Sequence, residues 1–357
     1  VKVAPVSDPA SIILVMAGGK GTRFWPRSRE RRPKQFLAIL GEQSLLRQTV
    51  DRVRPDYPPE RIYIATTAEL AEETRRLLPE LPPGNVIAEP EGRNTAPCLA
   101  LALVQIERER PGAVMAVLSA DHWIGDDRLF LADLAQAVAH AASSHDLVTF
   151  GIPPTAPETG FGYIETEGEG SVLKAVAFRE KPPFETALTY LASGRHYWNA
   201  GMFVWRLEDL RSELQAHAPG VLAPLDAWAQ GGADPAALPA AYARAEATSI
   251  DYALMEKSAR VAVVPARFRW SDVGSWPALM EFHTPNEHGN RLQGDVLLVD
   301  SQDCTVFAGA RLVALAGVSD LIVVDEPDAL LITRKDSAQG VKTVVEELKR
   351  RGRSELL

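Results

Sequence analysis

Glycines and cations crowd together near the start of this chain, and their spacing suits the binding of an anion. In "AGGKGTRFWPRSRERRPK" (17–34), Gly18, Gly19 and Gly21 stand among Lys20, Arg23, Arg27, Arg29, Arg31, Arg32 and Lys34, with Glu30 as the lone acid. Glycines let the backbone approach a ligand closely, and successive N–H groups can form an anion nest. Cations beside such a turn suit phosphate. Two common phosphate loops do not fit. The G-x-x-x-x-G-K-[ST] pattern is absent, and a G-x-G-x-x-G begun at Gly19 meets Phe24 in place of its third glycine. The competing reading is a glycine turn with a hydrated arginine loop, and for Arg29, Arg31 and Arg32 that reading is favoured.

Carboxylates and amides add a second layer. Asp121 ends the apolar run "AVMAVLSAD", and Asp272 lies in "RWSDVGSW" with Phe268, Trp270 and Trp276 nearby. A carboxylate in apolar company is costly unless paired or bound to a cation, and Mg²⁺ takes hard oxygen ligands while keeping waters. Singly, a cap explains Asp121 and a turn before Gly274 explains Asp272. Asparagine occurs only five times in 357 residues, yet Asn94 and Asn199 both fall in candidate motifs. An amide offers a donor and an acceptor together. For Asn94 the rival is a helix cap ahead of Thr95. Glu180 and Lys181 would face opposite sides of a strand unless Pro182 and Pro183 turn the chain. No Ser/His/Asp or Cys/His arrangement offers a nucleophile.

The elements that must position these residues alternate. Apolar, β-branched runs at 11–17, 61–67, 85–90, 113–121 and 147–152 predict buried strands, with helical patterns between them over 45–53, 99–106 and 127–143, the last capped by Asp126 or Asp127. Such alternation predicts an α/β fold with a Rossmann-like, doubly wound, mostly parallel sheet. Ligands then bind at the carboxyl edge of the strands, which puts Gly18, Gly19, Gly21 and Asp121 on one rim. Residues 151–285 are less regular, with strands expected in "GFGYIE", "VLKAVAFREKP" and "WNAGMFVWR" and helices through 207–258. From 286 the texture changes to five short strand candidates and a closing helix at 337–351. A catalytic domain over 1–285 and a small C-terminal β domain over 286–357 are expected. A left-handed β-helix is one form considered for the latter, although its spacings are too irregular for a true hexapeptide repeat.

Bulk properties exclude several classes. A formal net charge of −9 argues against a nucleic-acid binder. Cys98 and Cys304 lie far apart and the seven histidines are scattered, so neither a disulfide framework nor a zinc site is indicated. "VKVAPVSDPASIILVMAGG" lacks a signal-peptide pattern, and no apolar run reaches the roughly 18–20 residues of a membrane span. A cytoplasmic protein is expected.

"AGGKGTRFWPRSRERRPKQF" resembles the signature of the sugar-nucleotide pyrophosphorylases. "EPEGRNTAP" (89–97), "SADH" (119–122), "FREKP" (178–182), "WNAGMFVWR" (198–206) and "WSDVGSW" (270–276) are similar, in family order, to the motifs of the branch that transfers a guanylyl group to mannose 1-phosphate. The resemblance implies that GTP and mannose 1-phosphate give GDP-mannose and pyrophosphate by in-line attack at the α-phosphorus. It implies Arg23 on the departing β- and γ-phosphates, Lys34 near the α-phosphate, and a Mg²⁺ on Asp121 and Asp272. Nucleotide contacts would come from Ala17, Gly18, Gly19, Gly21, Thr22, Arg23, Asn94, Thr95 and Asp121. Sugar-phosphate contacts would come from Gly162, Tyr163, Glu180, Lys181, Asn199 and Gly201. A homodimer is expected, and no nucleic-acid or membrane partner. The alternatives are another sugar phosphate or nucleotide, or a non-catalytic sensor of nucleotide sugars, which should have lost Arg23, Lys34 or a carboxylate.

Overall fold

A computed structural model describes residues 11–19 and 21–357. Lys20 and the first ten residues, on which part of the leader reading rests, lie outside the described residues. The strands, in chain order, are β1 Ser11–Met16, β2 Ile62–Thr67, β3 Val86–Glu89, β4 Val114–Ser119, β5 Trp123–Ile124, β6 Leu147–Ile152, β7 Tyr163–Glu167, β8 Leu173–Arg179 and β9 His196–Arg206. They continue with β10 Val261–Pro265, β11 Trp270–Ser271, β12 Arg291–Gln293, β13 Val296–Val299, β14 Thr305–Phe307, β15 Val313–Ala316, β16 Leu321–Glu326 and β17 Ala329–Arg334.

By packing, the chain forms two compact units. Among the described residues, the first comprises 11–18 with 49–120 and 124–270; the second comprises 19, 21–48, 121–123 and 271–357.

A nine-stranded sheet, ordered β3-β2-β1-β4-β9-β6-β10-β8-β7, organises the first unit. β3, β2, β1 and β4 run parallel, with Met16 opposite Ser119. The strand order reverses about β1, so the connections that follow β1 and β4 both begin at its carboxyl edge. After Ser11, β1 is apolar through Met16, and Ser11–Val15 are buried, as expected of a parallel strand covered by helices. Thr95–Glu109 lays Leu99, Leu101, Leu103 and Ile106 into the core beside Phe203, Trp205 and Leu210. Asp126 accepts the Leu129 N–H at 2.9 Å and so caps Asp127–Ser144.

In the second unit, β12, β14 and β16 stack in parallel, β17 closes that sheet antiparallel, and β13 pairs in parallel with β15. This is the β-helix-like arrangement. Arg291 pairs with Thr305 and Thr305 with Ile322, so successive rungs differ in length. That difference hides the repeat in the sequence. Residues 19–48 belong here because Phe24, Trp25, Leu37 and Ile39 pack with Trp276, Phe307, Ile322, Val341 and Val345. No helix among the described residues is long and apolar enough to cross a membrane.

Candidate active site

Each unit carries its own group of polar residues. In the second unit the loop after β1 makes its corner at Gly21, where φ is +56°. A Cβ there would sit 2.7 Å from both the backbone N and the Cβ of Lys34, so only glycine fits. Thr22–Phe24 forms one 3₁₀ turn, and Gln35 Nε2 donates to Gly19 O at 3.0 Å. Together these contacts set the position of Lys34.

Lys34 is 3% exposed, and its ammonium donates to Asp121 Oδ2 at 3.0 Å and to the Asp272 carbonyl at 2.5 Å. The Asp121 side chain is 40% exposed. Desolvation pushes its carboxyl up, but the charges of Lys34 and His122 and the Lys34 hydrogen bond outweigh that and hold it below the usual range. Asp121 is therefore ionised throughout the physiological range. Asp272 Oδ1 accepts the Gly274 N–H at 3.0 Å, the turn bond expected of an aspartate before glycine. Its Oδ2 would lie 2.3 Å from any Cβ on Gly274, so residue 274 must lack one. The carboxyl groups of Asp121 and Asp272 offer hard oxygens, a donor set that suits a cation retaining waters and phosphate oxygens rather than a cage of protein ligands.

Arg23 is exposed and donates to Gly274 O at 3.3 Å. Other arginines of the loop fasten the unit instead. Arg27 pairs with Glu326 at 2.9 Å and stacks near Trp276 and Phe307. Arg29 pairs with Asp328 at 2.6 Å, donates to Leu356 O and lies over Trp25. Arg29 is thus a half-buried fastener rather than a hydrated rim, while Arg31 and Arg32 are exposed as expected.

In the first unit Ala17 is tied into the sheet edge, donating to Ala65 O at 2.7 Å and accepting from Thr66 Oγ1 at 3.1 Å. Gly18 follows, and a Cβ on it would come within 3.0 Å of Glu89 Oε1. Glu89 is buried with Cys98 and accepts the Tyr242 hydroxyl; burial raises its carboxyl above the ordinary range. Asn94 caps its helix from a positive φ of 73°, accepting the Thr95 N–H at 2.9 Å, and Thr95 Oγ1 accepts the Ile250 N–H at 2.8 Å. The cap chemistry read for Asn94 is therefore present in the fold.

The remaining residues of the first unit cluster around Asn199. Asn199 N donates to Gly162 O at 2.8 Å, and its Oδ1 accepts Gly201 N–H at 3.0 Å and Thr149 Oγ1 at 3.3 Å. Its Nδ2 donates to Asp251 Oδ1 at 2.8 Å. Glu180 Oε2 would lie 2.4 Å from a Cβ at Gly162, so that glycine makes its seat. Lys181 has a φ of +49° and its ammonium pairs with Glu180, so these chain neighbours turn toward each other. Tyr163 is 1% exposed and packs against Tyr190.

The sequence reading gave no role to Glu89, within "EPEGRNTAP", or to Asp251. Asp251 stands in "SIDYALM", an acid among apolar residues, which is the same signal that singled out Asp121.

Comparison with known proteins gives the geometry a context. The nucleotidyl transferase family model matches residues 12–288, and a MannoseP isomerase/GMP-like beta-helix domain matches 294–348. The chain is 43% identical to a xanthan biosynthesis protein, XanB, of Xanthomonas campestris pv. campestris over 98% of its own length and 75% of the relative's. It is 41% identical to a mannose-1-phosphate guanylyltransferase of Klebsiella pneumoniae, over 96% of this chain and 74% of that one. A solved structure from Thermus thermophilus, described as a mannose-1-phosphate geranyltransferase, superposes with a TM-score of 0.87 at 36% identity, covering 95% of this chain and 99% of that one.

Proposed function

The chain belongs to the nucleotidyl transferase family, and we infer that it joins GTP to mannose 1-phosphate, giving GDP-mannose and pyrophosphate. One observation carries the reading. In a chain 41% identical to a mannose-1-phosphate guanylyltransferase, a buried Lys34 is held on ionised Asp121 and the Asp272 carbonyl by a loop whose corner only glycine can make. A sugar-phosphate oxygen forms a bond to the α-phosphorus while the bond to the β-bridging oxygen breaks in line, and pyrophosphate leaves with that electron pair. The attacking oxygen is already anionic near pH 7, so no general base is required.

The chain's own residues supply position and charge. Lys34 neutralises charge at the α-phosphate, and its two fixed oxygen partners keep its ammonium from wandering. Arg23 takes the departing β- and γ-phosphates with a planar fork suited to two oxygens. Family members generally use divalent cations, and Asp121 with Asp272 would hold Mg²⁺, which withdraws charge from phosphate oxygens when bound. Gly18, Asn94 and Thr95 belong to the nucleotide in this reading, and Gly162, Glu180, Lys181 and Asn199 to mannose 1-phosphate. A homodimer is part of the same reading, supported by the exposed apolar side chains Leu297, Val299, Leu330 and Ile332.

Pyrophosphate release tests the assignment. Release is expected with Mg²⁺, GTP and mannose 1-phosphate, and little with UTP, ATP or glucose 1-phosphate. Preference for another pair would move the substrates but keep the reaction. No release with any pair, despite measurable GDP-mannose binding, would turn the reading to a non-catalytic sensor.

A further inference from the structure

We propose that Asp251 reads a hydroxyl of the sugar, and that Asn199 serves chiefly to aim it. This rests on the functional reading above and deepens it. The amide of Asn199 is largely spent inside the protein: its oxygen accepts the Gly201 N–H at 3.0 Å, with the Thr149 hydroxyl, shared with Met202 O, at 3.3 Å, and its nitrogen binds Asp251 at 2.8 Å. With both ends of the amide engaged, the side chain is locked and has one N–H left. The carboxyl it holds is thereby fixed in direction.

That carboxyl lies among the groups expected to face the sugar phosphate. Asn199 N binds Gly162 O at 2.8 Å, Gly162 makes the seat of Glu180, and Glu180 and Lys181 are the charged neighbours of Asp251. Asp251 occupies the first position of the π-helical turn Asp251–Met255, a rare backbone form that re-aims a side chain and often marks a working site. Burial comes first in raising its carboxyl, and the like charge of Glu180 adds to it. A second acid whose charge bears on Asp251 is hard to explain by packing alone, because like charge adds to the cost of keeping Asp251 ionised. The two acids make sense as acceptors for hydroxyl groups of a polyol, whose O–H donors can satisfy both. Asp251 is thus a specificity residue, Glu180 its companion, and Asn199 a positioning residue.

The test uses the full chain, with Asp251→Asn and Asp251→Ala, steady-state pyrophosphate release, and mannose 1-phosphate alongside its 2-, 3-, 4- and 6-deoxy analogues. The wild type first establishes the parent reaction, so its failure is separable from failure of this proposal. Both variants are expected to raise KM for mannose 1-phosphate about tenfold or more, the weight of a hydrogen bond to a charged group, and to leave KM for GTP within about twofold. One deoxy analogue should carry a penalty in the wild type that disappears in the Asp251 variants, because hydroxyl and carboxylate are then lost as one interaction. Calorimetric binding of GDP-mannose gives the same readout without turnover. Unchanged KM for mannose 1-phosphate, or penalties for every analogue that persist in Asp251→Asn, would overturn the proposal. A merely structural role would lower activity with all five sugars alike.

Discussion

Replacing Asp251 by asparagine should stabilise the protein while it damages sugar binding. Burial, then Glu180, push the Asp251 carboxyl up from 3.8 to about 6, against the pull of the Asn199 hydrogen bond. Between those two values the folded chain holds a proton that the unfolded chain has released. The stability contributed by this group is full below the unfolded value and is lost as pH rises through the folded one. A shift of about two units at about 1.4 kcal/mol each sets the disadvantage of the ionised side chain at neutral pH to about 3 kcal/mol. Asparagine keeps the shape, and its carbonyl can still accept from Asn199, but it bears no charge. We expect Asp251→Asn to raise the free energy of unfolding by about 1–3 kcal/mol at pH 8 and by under about 0.5 kcal/mol at pH 4. Urea unfolding followed by tryptophan fluorescence at both pH values reads this difference. An equal effect at the two pH values, or a loss of stability at pH 8, refutes the reasoning.

Other substitutions probe the second unit. Gly21→Ala brings a Cβ to 2.7 Å from Lys34 at a φ of +56°, so it should displace Lys34 and cut kcat by about 10²-fold or more, as loss of a transition-state charge partner does. Asp272→Asn can keep the turn bond to Gly274 while losing its charge; we expect an unchanged melting temperature, a kcat lower by about 10²-fold, and weaker retention of Mn²⁺ in equilibrium dialysis. Arg27→Met removes the Glu326 pair and the approach to Trp276 and Phe307; it should lower stability by about 1–2 kcal/mol in urea unfolding without altering either KM.

The parallel half of the sheet was legible because strands covered on both faces are mainly apolar, as "IILVM" after Ser11 is, and because helix starts announce themselves with residues such as Asp126. The β-helix-like tail was only half legible, since its unequal rungs leave no fixed period. The membership of residues 19–48 in the second unit was not legible: Phe24 and Trp25 are apolar residues whose partners, Phe307 and Val341, lie far along the chain. Among the candidate residues, Lys34 and Asp121 could be picked from type and context. The difference between Arg23, exposed on Gly274, and Arg29, paired to Asp328, depends on tertiary contacts that the arginine-rich run alone does not encode. Asp251, an acid between Ile250 and Tyr252, carries in the sequence the same signal as Asp121.

Transfer of a guanylyl group can be followed by the fate of the α-phosphorus. With GTP labelled at the α-phosphorus, mannose 1-phosphate and Mg²⁺, the label should appear in GDP-mannose, in equal amount to pyrophosphate, and should fail to appear when Lys34→Ala or Asp121→Ala replaces the wild type. Label recovered as free GMP, or retained in GTP while GDP-mannose is bound, would contradict guanylyl transfer.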